Sequence, residues 1–314
     1  MDSFVFSLNA TVPIFLVMVL GYILKQIGMF TEEFCAVANK YVFKVALPVL
    51  LFRDIVQTDL YQDFNLSFVL YCAGVTIVMF LGLWLLTAKL MPDKTMVGAF
   101  VQGAARSSVA VLGIAFVQNI YGDAGLTPLM IVSAVPLFNV FSVVILTFSA
   151  GGGAHGRAAV KRACINVLKN PIILGIFAGL PFSLLRIEIP TIPLKMIDSV
   201  ASTATPIALL VVGAGFEGAQ ALAKIRPTIA ATVIKLLALP ALFLPLAVHL
   251  GFSGTEMVAV LIMLGSPTTV TSYIMAKNMD NDGELSSSII VLTTLLSSVT
   301  LTGWIFLLRV MQLI

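Results

Sequence analysis

The sequence predicts an all-α membrane protein of ten transmembrane helices, built as two inverted five-helix repeats. Of its 314 residues, 59% are hydrophobic and 11% are charged, and the mean hydropathy is +1.06. A soluble domain carries about 25% charged residues, so a water-soluble protein is excluded. Ten segments are apolar enough to cross a bilayer, and prolines, glycines and polar residues of the two halves recur at offsets of 158 or 159 residues.

The ten segments follow from the roughly 20 apolar residues that the hydrocarbon core of a membrane requires. Eight are clear. The second carries Lys40 and Lys44, and the sixth is short and lies between Lys169 and Arg186. The first has no basic leader before it and no cleavage site after it, so it is interpreted as a span. The predicted spans are residues 5–26, 33–52, 66–89, 95–119, 126–148, 168–185, 199–216, 227–249, 257–276 and 285–308.

The distribution of lysine and arginine predicts the orientation. Ten basic residues follow odd-numbered spans and four follow even-numbered spans. Positively charged loops stay in the cytoplasm, so both termini are expected outside a plasma or inner cell membrane. The net charge of +3 comes from these loops and forms no basic stripe, so no nucleic-acid partner is expected.

An internal repeat relates the two halves at an offset of 158 and, further along, 159 residues. The matched pairs are Pro13 and Pro171, Gly21 and Gly179, Pro48 and Pro206, Ser107 and Ser266, Asn119 and Asn278, Asp123 and Asp282, and Leu126 and Leu285. Five spans per repeat force the halves into opposite orientations, as in many secondary transporters. The predicted units are residues 1–150, a cytoplasmic connector at 151–169, and residues 170–314.

Two interrupted helices mark the predicted substrate site. Unwound backbone within a membrane is tolerated where it lines a cavity, and the N-terminus of a half-helix favours an anion. Small hydroxyl residues that only join neighbouring helices are the alternative. The candidate residues are Arg106, Ser107, Ser108 and Gly113 in span 4, and Ser266, Pro267, Thr268 and Thr269 in span 9.

Buried positive charge is the second indication of the substrate. Lys44, Arg106 and Lys235 are predicted about 13 to 18 Å deep at 1.5 Å per residue, whereas the acids Asp54, Asp198, Glu217 and Glu256 fall near span ends. An anionic substrate would compensate such charge. For each basic residue a structural role is the alternative, such as snorkelling of Lys44 or a bond to the carbonyl of a broken helix.

Three further residues have two interpretations each. Asn139 could reach the crossing of spans 4 and 9 or form an interhelical hydrogen bond. Pro48 and Pro206 are expected to bend spans 2 and 7, either as hinges or for packing.

No cofactor and no metal are expected. Cys35, Cys72 and Cys164 have no metal-binding spacing. His155 and His249 lie in or near loops, and no second deep acid completes a catalytic pair, so the chain is not expected to be an enzyme. A receptor or sensor with a carrier fold is the main alternative, and an intramembrane enzyme is less favoured.

Several motifs resemble those of the auxin efflux carrier family, which includes PIN-type auxin exporters and bacterial malonate and malate carriers. The motifs are GSPTTVTSYIMAK at 265–277 followed by NMDNDGELSSS, Asn170-Pro171, PIALLVVG at 206–213, residues 101–122, and PLFNVFSVV at 136–144. The chain departs from many relatives in having Ser108 instead of Asn, and Gly113-Ile114-Ala115 instead of Gly-x-Pro.

The resemblance implies a scaffold of spans 1, 2, 6 and 7 and a transport domain of spans 3–5 and 8–10, with the broken helices 4 and 9 crossing at the site. It also implies an elevator motion and a homodimer formed through the scaffold in membrane lipid. The expected function is secondary transport of a small organic anion: a mono- or dicarboxylate such as malonate or malate, or an auxin-like indole acid.

Overall fold

The computed structural model describes residues 2–57, 65–109, 116–118, 120–122, 125–150, 165, 168–216 and 223–314, with side chains from residue 12 onward. Across these residues the chain forms helices and connecting turns and no strand. The predicted all-α class is confirmed.

Eleven helices of eight or more residues organise the described chain. They are α1 (Asp2–Gln26), α2 (Glu32–Val56), α3 (Leu66–Leu90), α4 (Thr95–Ala105), α5 (Thr127–Ser149), α6 (Pro171–Leu184), α7 (Thr191–Ala214), α8 (Ile225–His249), α9 (Gly254–Gly265), α10 (Thr271–Asn278) and α11 (Gly283–Val310).

Six of these helices, α2, α3, α5, α7, α8 and α11, are long and apolar enough to cross a membrane. Four shorter apolar segments overlap the predicted spans 1, 4, 6 and 9: Val12–Gln26, Thr95–Ala105, Pro171–Leu184 and Gly254–Gly265. The chain is therefore a helical protein with several membrane spans, and the total of ten stays a prediction.

Polar side chains fix where several helices begin. In each case a side-chain oxygen accepts a hydrogen bond from a backbone N–H of the first turn, which otherwise has no partner. The residues that do this are Thr31 before α2, Asn65 before α3, Asn170 before α6 and Asp282 before α11.

Proline and wide helical turns occur together in α2 and α8. Each helix contains one π-helical turn, Val42–Ala46 in α2 and Ile234–Ala238 in α8, and a proline follows two residues later, Pro48 and Pro240. Proline lacks the N–H that would continue the helical ladder, and its ring displaces the preceding carbonyl. In α7, the helix is irregular at Thr203, three residues before Pro206.

The buried apolar side chains form two clusters. The larger one draws on α3, α4, α5, α8, α9 and α11, and includes Phe80, Phe138 and Met263. The second draws mainly on α1, α2, α6 and α7, with side chains from α5, α10 and α11, and includes Val42 and Ala208. The helices thus pack into two groups that contact each other, for example where α1 packs against α11.

Two glycine contacts join helices of the second cluster. A Cβ placed on Gly21 of α1 would overlap the backbone of Leu210 in α7, and a Cβ on Gly179 of α6 would lie 3.1 Å from the carbonyl oxygen of Phe52 in α2. Gly21 and Gly179 are 158 positions apart, as are Phe52 and Leu210. The contact of α1 with α7 is therefore the repeat equivalent of the contact of α6 with α2.

The α1–α7 contact predicts a strong effect of one added methyl group. A Cβ on Gly213 would overlap the backbone carbonyl of Met18. We expect Gly213→Ala to lower stability by about 1–3 kcal/mol, since the two helices would have to separate. Gly82→Ala is the matched control, because a Cβ at Gly82 meets nothing within 4 Å. Melting curves of the two purified variants measure the difference, and equal melting temperatures would contradict the close packing.

Candidate functional site

Both helices predicted to be interrupted are interrupted in the structure. α4 ends at Ala105 and the chain continues in an extended conformation, with Arg106 at φ −72° and ψ 143°. α9 ends at Gly265, Ser266 is likewise extended at φ −71° and ψ 158°, and the helix resumes as α10 at Thr271. The two breaks leave backbone groups free of the helical ladder.

Direct hydrogen bonds join the two breaks to each other. The backbone N–H of Ser108 donates to the carbonyl of Pro267 at 3.0 Å. The Thr268 hydroxyl donates to the carbonyl of Gly103 at 2.6 Å, and the Ser107 hydroxyl donates to the carbonyl of Met263. Positions 108 and 267 correspond at the offset of 159 residues, so the backbone bond joins equivalent points of the two halves.

Lys235, on α8, forms hydrogen bonds with both of the interrupted helices at this crossing. Its side chain extends from the π-helical turn and is 0% exposed. The ammonium donates to the carbonyls of Leu264 at 2.7 Å and Ala105 at 3.4 Å, and also to the hydroxyl of Ser107. Both carbonyls belong to the C-terminal ends of half-helices, where a positive charge is favourable.

Arg106 carries the second buried positive charge, and its side chain is 4% exposed. One terminal nitrogen donates to Asn139 Oδ1 at 2.9 Å, and the other donates to the Met275 sulfur at 2.8 Å and to Gln102 Oε1 at 3.4 Å. The buried Nε has no hydrogen-bond partner among the described residues. Every acceptor of the guanidinium in this part of the chain is uncharged, so the group retains an uncompensated charge and a free donor.

A cavity of about 90 Å³ lies beside Arg106. A single water needs about 10–15 Å³ measured in this way, so there is room for a small molecule. Apolar residues of α1, α2, α5 and α7 form part of the wall. The polar lining residues are Asp54, Arg106, Ser107, Ser108, Asn139, Thr205, Thr269 and Thr271.

The structure brings together five of the candidates for substrate binding, Arg106, Ser107, Ser108, Asn139 and Thr269, as lining residues of this cavity. Ser266, Pro267 and Thr268 are buried in the crossing itself. Lys235 lies behind the crossing, bonded to carbonyls. Gly113 falls outside the described residues.

The remaining predicted positions lie on the helices of the second cluster. Lys44 belongs to the π-helical turn of α2 and is exposed on the surface of the bundle, so it does not reach the cavity. Pro48 and Pro206 follow the lining residues Leu47 and Thr205 directly.

Asp54 is a lining residue that the sequence analysis missed. The predicted second span ends at residue 52, but α2 continues to Val56 and carries Asp54 in its last turn. The carboxylate accepts two hydrogen bonds from Arg53, at 3.1 and 2.7 Å, which compensate its charge. Asp54 thus lies near the end of its helix, as expected, and the structure adds that it lines the cavity.

Within the described part of the chain, no group of three or more His, Cys, Asp and Glu side chains could hold a metal ion. Cys72 is buried and Cys35 is partly exposed, both as free thiols. Cys164 lies beyond the described ranges.

Comparison with known proteins places this chain in the class of membrane transport proteins. A family model described as "Membrane transport protein" matches residues 6–305 of the chain. The chain belongs to this family, the auxin efflux carrier family, and the resemblance seen in its motifs is confirmed.

Three relatives are similar over nearly the whole chain. A protein of Rhizobium meliloti named "Putative malonate transporter" is 27% identical, over 95% of this chain and 94% of the relative. An "Uncharacterized transporter" of Methanothermobacter thermautotrophicus is 24% identical, over 96% and 98% of the two chains. The "Uncharacterized transporter YfdV" of Escherichia coli K12 is 24% identical, over 98% and 99%.

Proposed function

We propose that this chain is a secondary transporter of a small organic anion, and that the anion binds in the cavity beside Arg106. The observation that carries the proposal is the state of the Arg106 guanidinium. It is buried, it lines the cavity, its acceptors are uncharged in the described chain, and its Nε has no partner there. A carboxylate matches the planar donors of a guanidinium better than any neutral group does.

A short dicarboxylate is the substrate that the site favours. Arg106 and Lys235 place two positive charges in the same buried region, and the described acceptors of both are neutral. A dianion bound at Arg106 would balance the positive charge of this region through space, without a contact to Lys235. The cavity volume of about 90 Å³ suits a malonate- or malate-like molecule better than an auxin-like indole acid. The name of the Rhizobium meliloti relative supports the same class.

Elevator-type alternating access is the proposed mechanism. The cavity lies between two sets of helices, with α1, α2 and α7 on one side and the two breaks with α5 on the other. The two apolar clusters divide the helices in nearly the same way. The paired contacts of Gly21 and Gly179 support two repeats of opposite orientation, which can exchange roles between inward- and outward-open states.

We further propose that the protein resides in a cell membrane with both termini outside, and that it forms a homodimer through α1, α2, α6 and α7. The excess of lysine and arginine after odd-numbered spans supports the orientation.

A flux assay tests the proposal. Vesicles that contain the purified protein should accumulate labelled malonate in a time-dependent, saturable way, and vesicles without protein should not. A thermal-shift titration ranks the substrates, since a ligand that binds the native state raises its melting temperature. We expect short dicarboxylates to raise it more than indole acetate does. Binding without flux would instead indicate a receptor.

A further inference from the structure

We propose that the Lys235 ammonium takes the place of a coupling cation at the crossing, so that transport by this protein does not require sodium. The inference rests on the proposed function for its transport measurement only. Its stability measurement needs no substrate.

The ligands of the ammonium are those of a small metal cation. Its three described partners are all oxygens: the carbonyls of Ala105 and Leu264 and the hydroxyl of Ser107. In transporters with broken helices, unwound carbonyls and the C-terminal ends of half-helices coordinate Na⁺. An ammonium has three donors, so the three oxygens match its full hydrogen-bonding capacity.

The position of Lys235 argues against a role as direct ligand of the anion. The side chain is 0% exposed, and the lining residues of the cavity do not include it. Its donors are directed at protein oxygens. Lys235 is therefore a positioning residue, which holds the ends of α4 and α9 together and thereby sets where Arg106 and Ser108 stand.

A fixed ammonium also prevents sodium from binding at this point. The oxygens are already occupied, and a second cation among them would be repelled by a like charge at contact distance. In this proposal the ammonium holds the two helix ends in place of a soluble ion. Removal of the ammonium would leave these buried carbonyls without a hydrogen-bond donor. This loss would lower the stability of the fold unless another cation occupied the same place.

The first experiment measures the unaltered protein. Labelled malonate uptake into vesicles is compared in sodium, potassium and choline chloride at equal ionic strength. We expect no loss of uptake when sodium is absent. A fall to the level of protein-free vesicles in both potassium and choline chloride would overturn the proposal.

The second experiment measures melting temperatures of variants in sodium chloride and in choline chloride. Lys235→Ala leaves space among the three oxygens, so we expect a lowered melting temperature that sodium raises again. Lys235→Met fills that space with an apolar chain, and we expect a lowered melting temperature that sodium does not change. Lys44→Ala is the matched control, since this lysine also lies in a π-helical turn but is exposed.

Two results would contradict the role of the ammonium. One is a Lys235→Met protein as stable as the unaltered protein, and the other is a folded Lys235→Ala protein with no response to sodium. If Lys235→Ala gives no folded protein in either salt, uptake in sodium-free medium decides. Absence of uptake in every medium would count against the proposed function, and the stability measurements would then test Lys235 alone.

Discussion

Arg106→Ala is expected to weaken dicarboxylate binding by about 10- to 100-fold, because a hydrogen bond to a charged group contributes about 1.5–3 kcal/mol. The alanine removes both the donors and the only cation that lines the cavity among the described residues. Asn139 Oδ1 would also lose its partner. The dissociation constant of malonate is obtained from the melting temperature of the purified variant at increasing malonate concentrations, and is compared with that of the unaltered protein.

Lys169→Ala is the control for this substitution, since it removes one positive charge from an exposed position before α6. We expect it to bind malonate as the unaltered protein does. Equal dissociation constants for the Arg106 and Lys169 variants would rule out the crossing as the anion site.

Cross-linking α2 to α10 is expected to stop transport, since an elevator must slide one set of helices past the other. The Asn278 amide donates to Asn39 Oδ1 at 2.9 Å, and this bond connects the end of α10 to α2. In a protein without its native cysteines, Asn39→Cys with Asn278→Cys should form a link under oxidising conditions. Malonate uptake should then fall to background and return after reduction.

A matched pair within one set of helices serves as the control for the link. Gln57 and Asp198 connect α2 to α7 through a hydrogen bond of 3.2 Å. A short link between cysteines at these two positions should leave uptake unchanged, because both helices belong to the proposed scaffold. Full uptake by the linked Asn39 and Asn278 variant would exclude sliding between α2 and α10.

The local features of the fold could be predicted from the sequence. Prolines, glycines and hydroxyl residues within apolar segments signal the breaks after Ala105 and Gly265, because these residues disturb the helical ladder at their own position. The polar caps Thr31 and Asn170 act within one turn in the same way. Such signals need no knowledge of the neighbouring helices.

The roles of the buried charges could not be predicted in the same way. Lys44 and Lys235 are predicted at similar depths, yet the first is exposed and the second is 0% exposed. The depth of a residue in a span does not determine whether its side chain faces the lipid or the protein interior. In a span where most positions are apolar, the sequence pattern does not distinguish the two faces. Asp54 was not predicted as a lining residue for a related reason, since the cavity is formed by residues from several helices that are distant in the sequence.

Span ends were also displaced where charged residues had served as limits. The seventh span was predicted from residue 199, but α7 begins at Thr191 and includes Lys195 and Asp198. A helix can continue into the polar layers of the bilayer, where charged side chains are not costly. Charge therefore marks the limit of the hydrocarbon core more closely than the limit of the helix.

The bond between the two breaks does not depend on the identity of the side chains at its ends. It runs between main-chain atoms, from the N–H of Ser108 to the carbonyl of Pro267, while the Ser108 residue also lines the cavity. Any residue other than proline at position 108 retains the N–H that donates this bond, so the cavity lining can change while the bond stays. Under the proposed function, the preference for one anion over another can then be altered at a single position while the link between the two half-helices is kept.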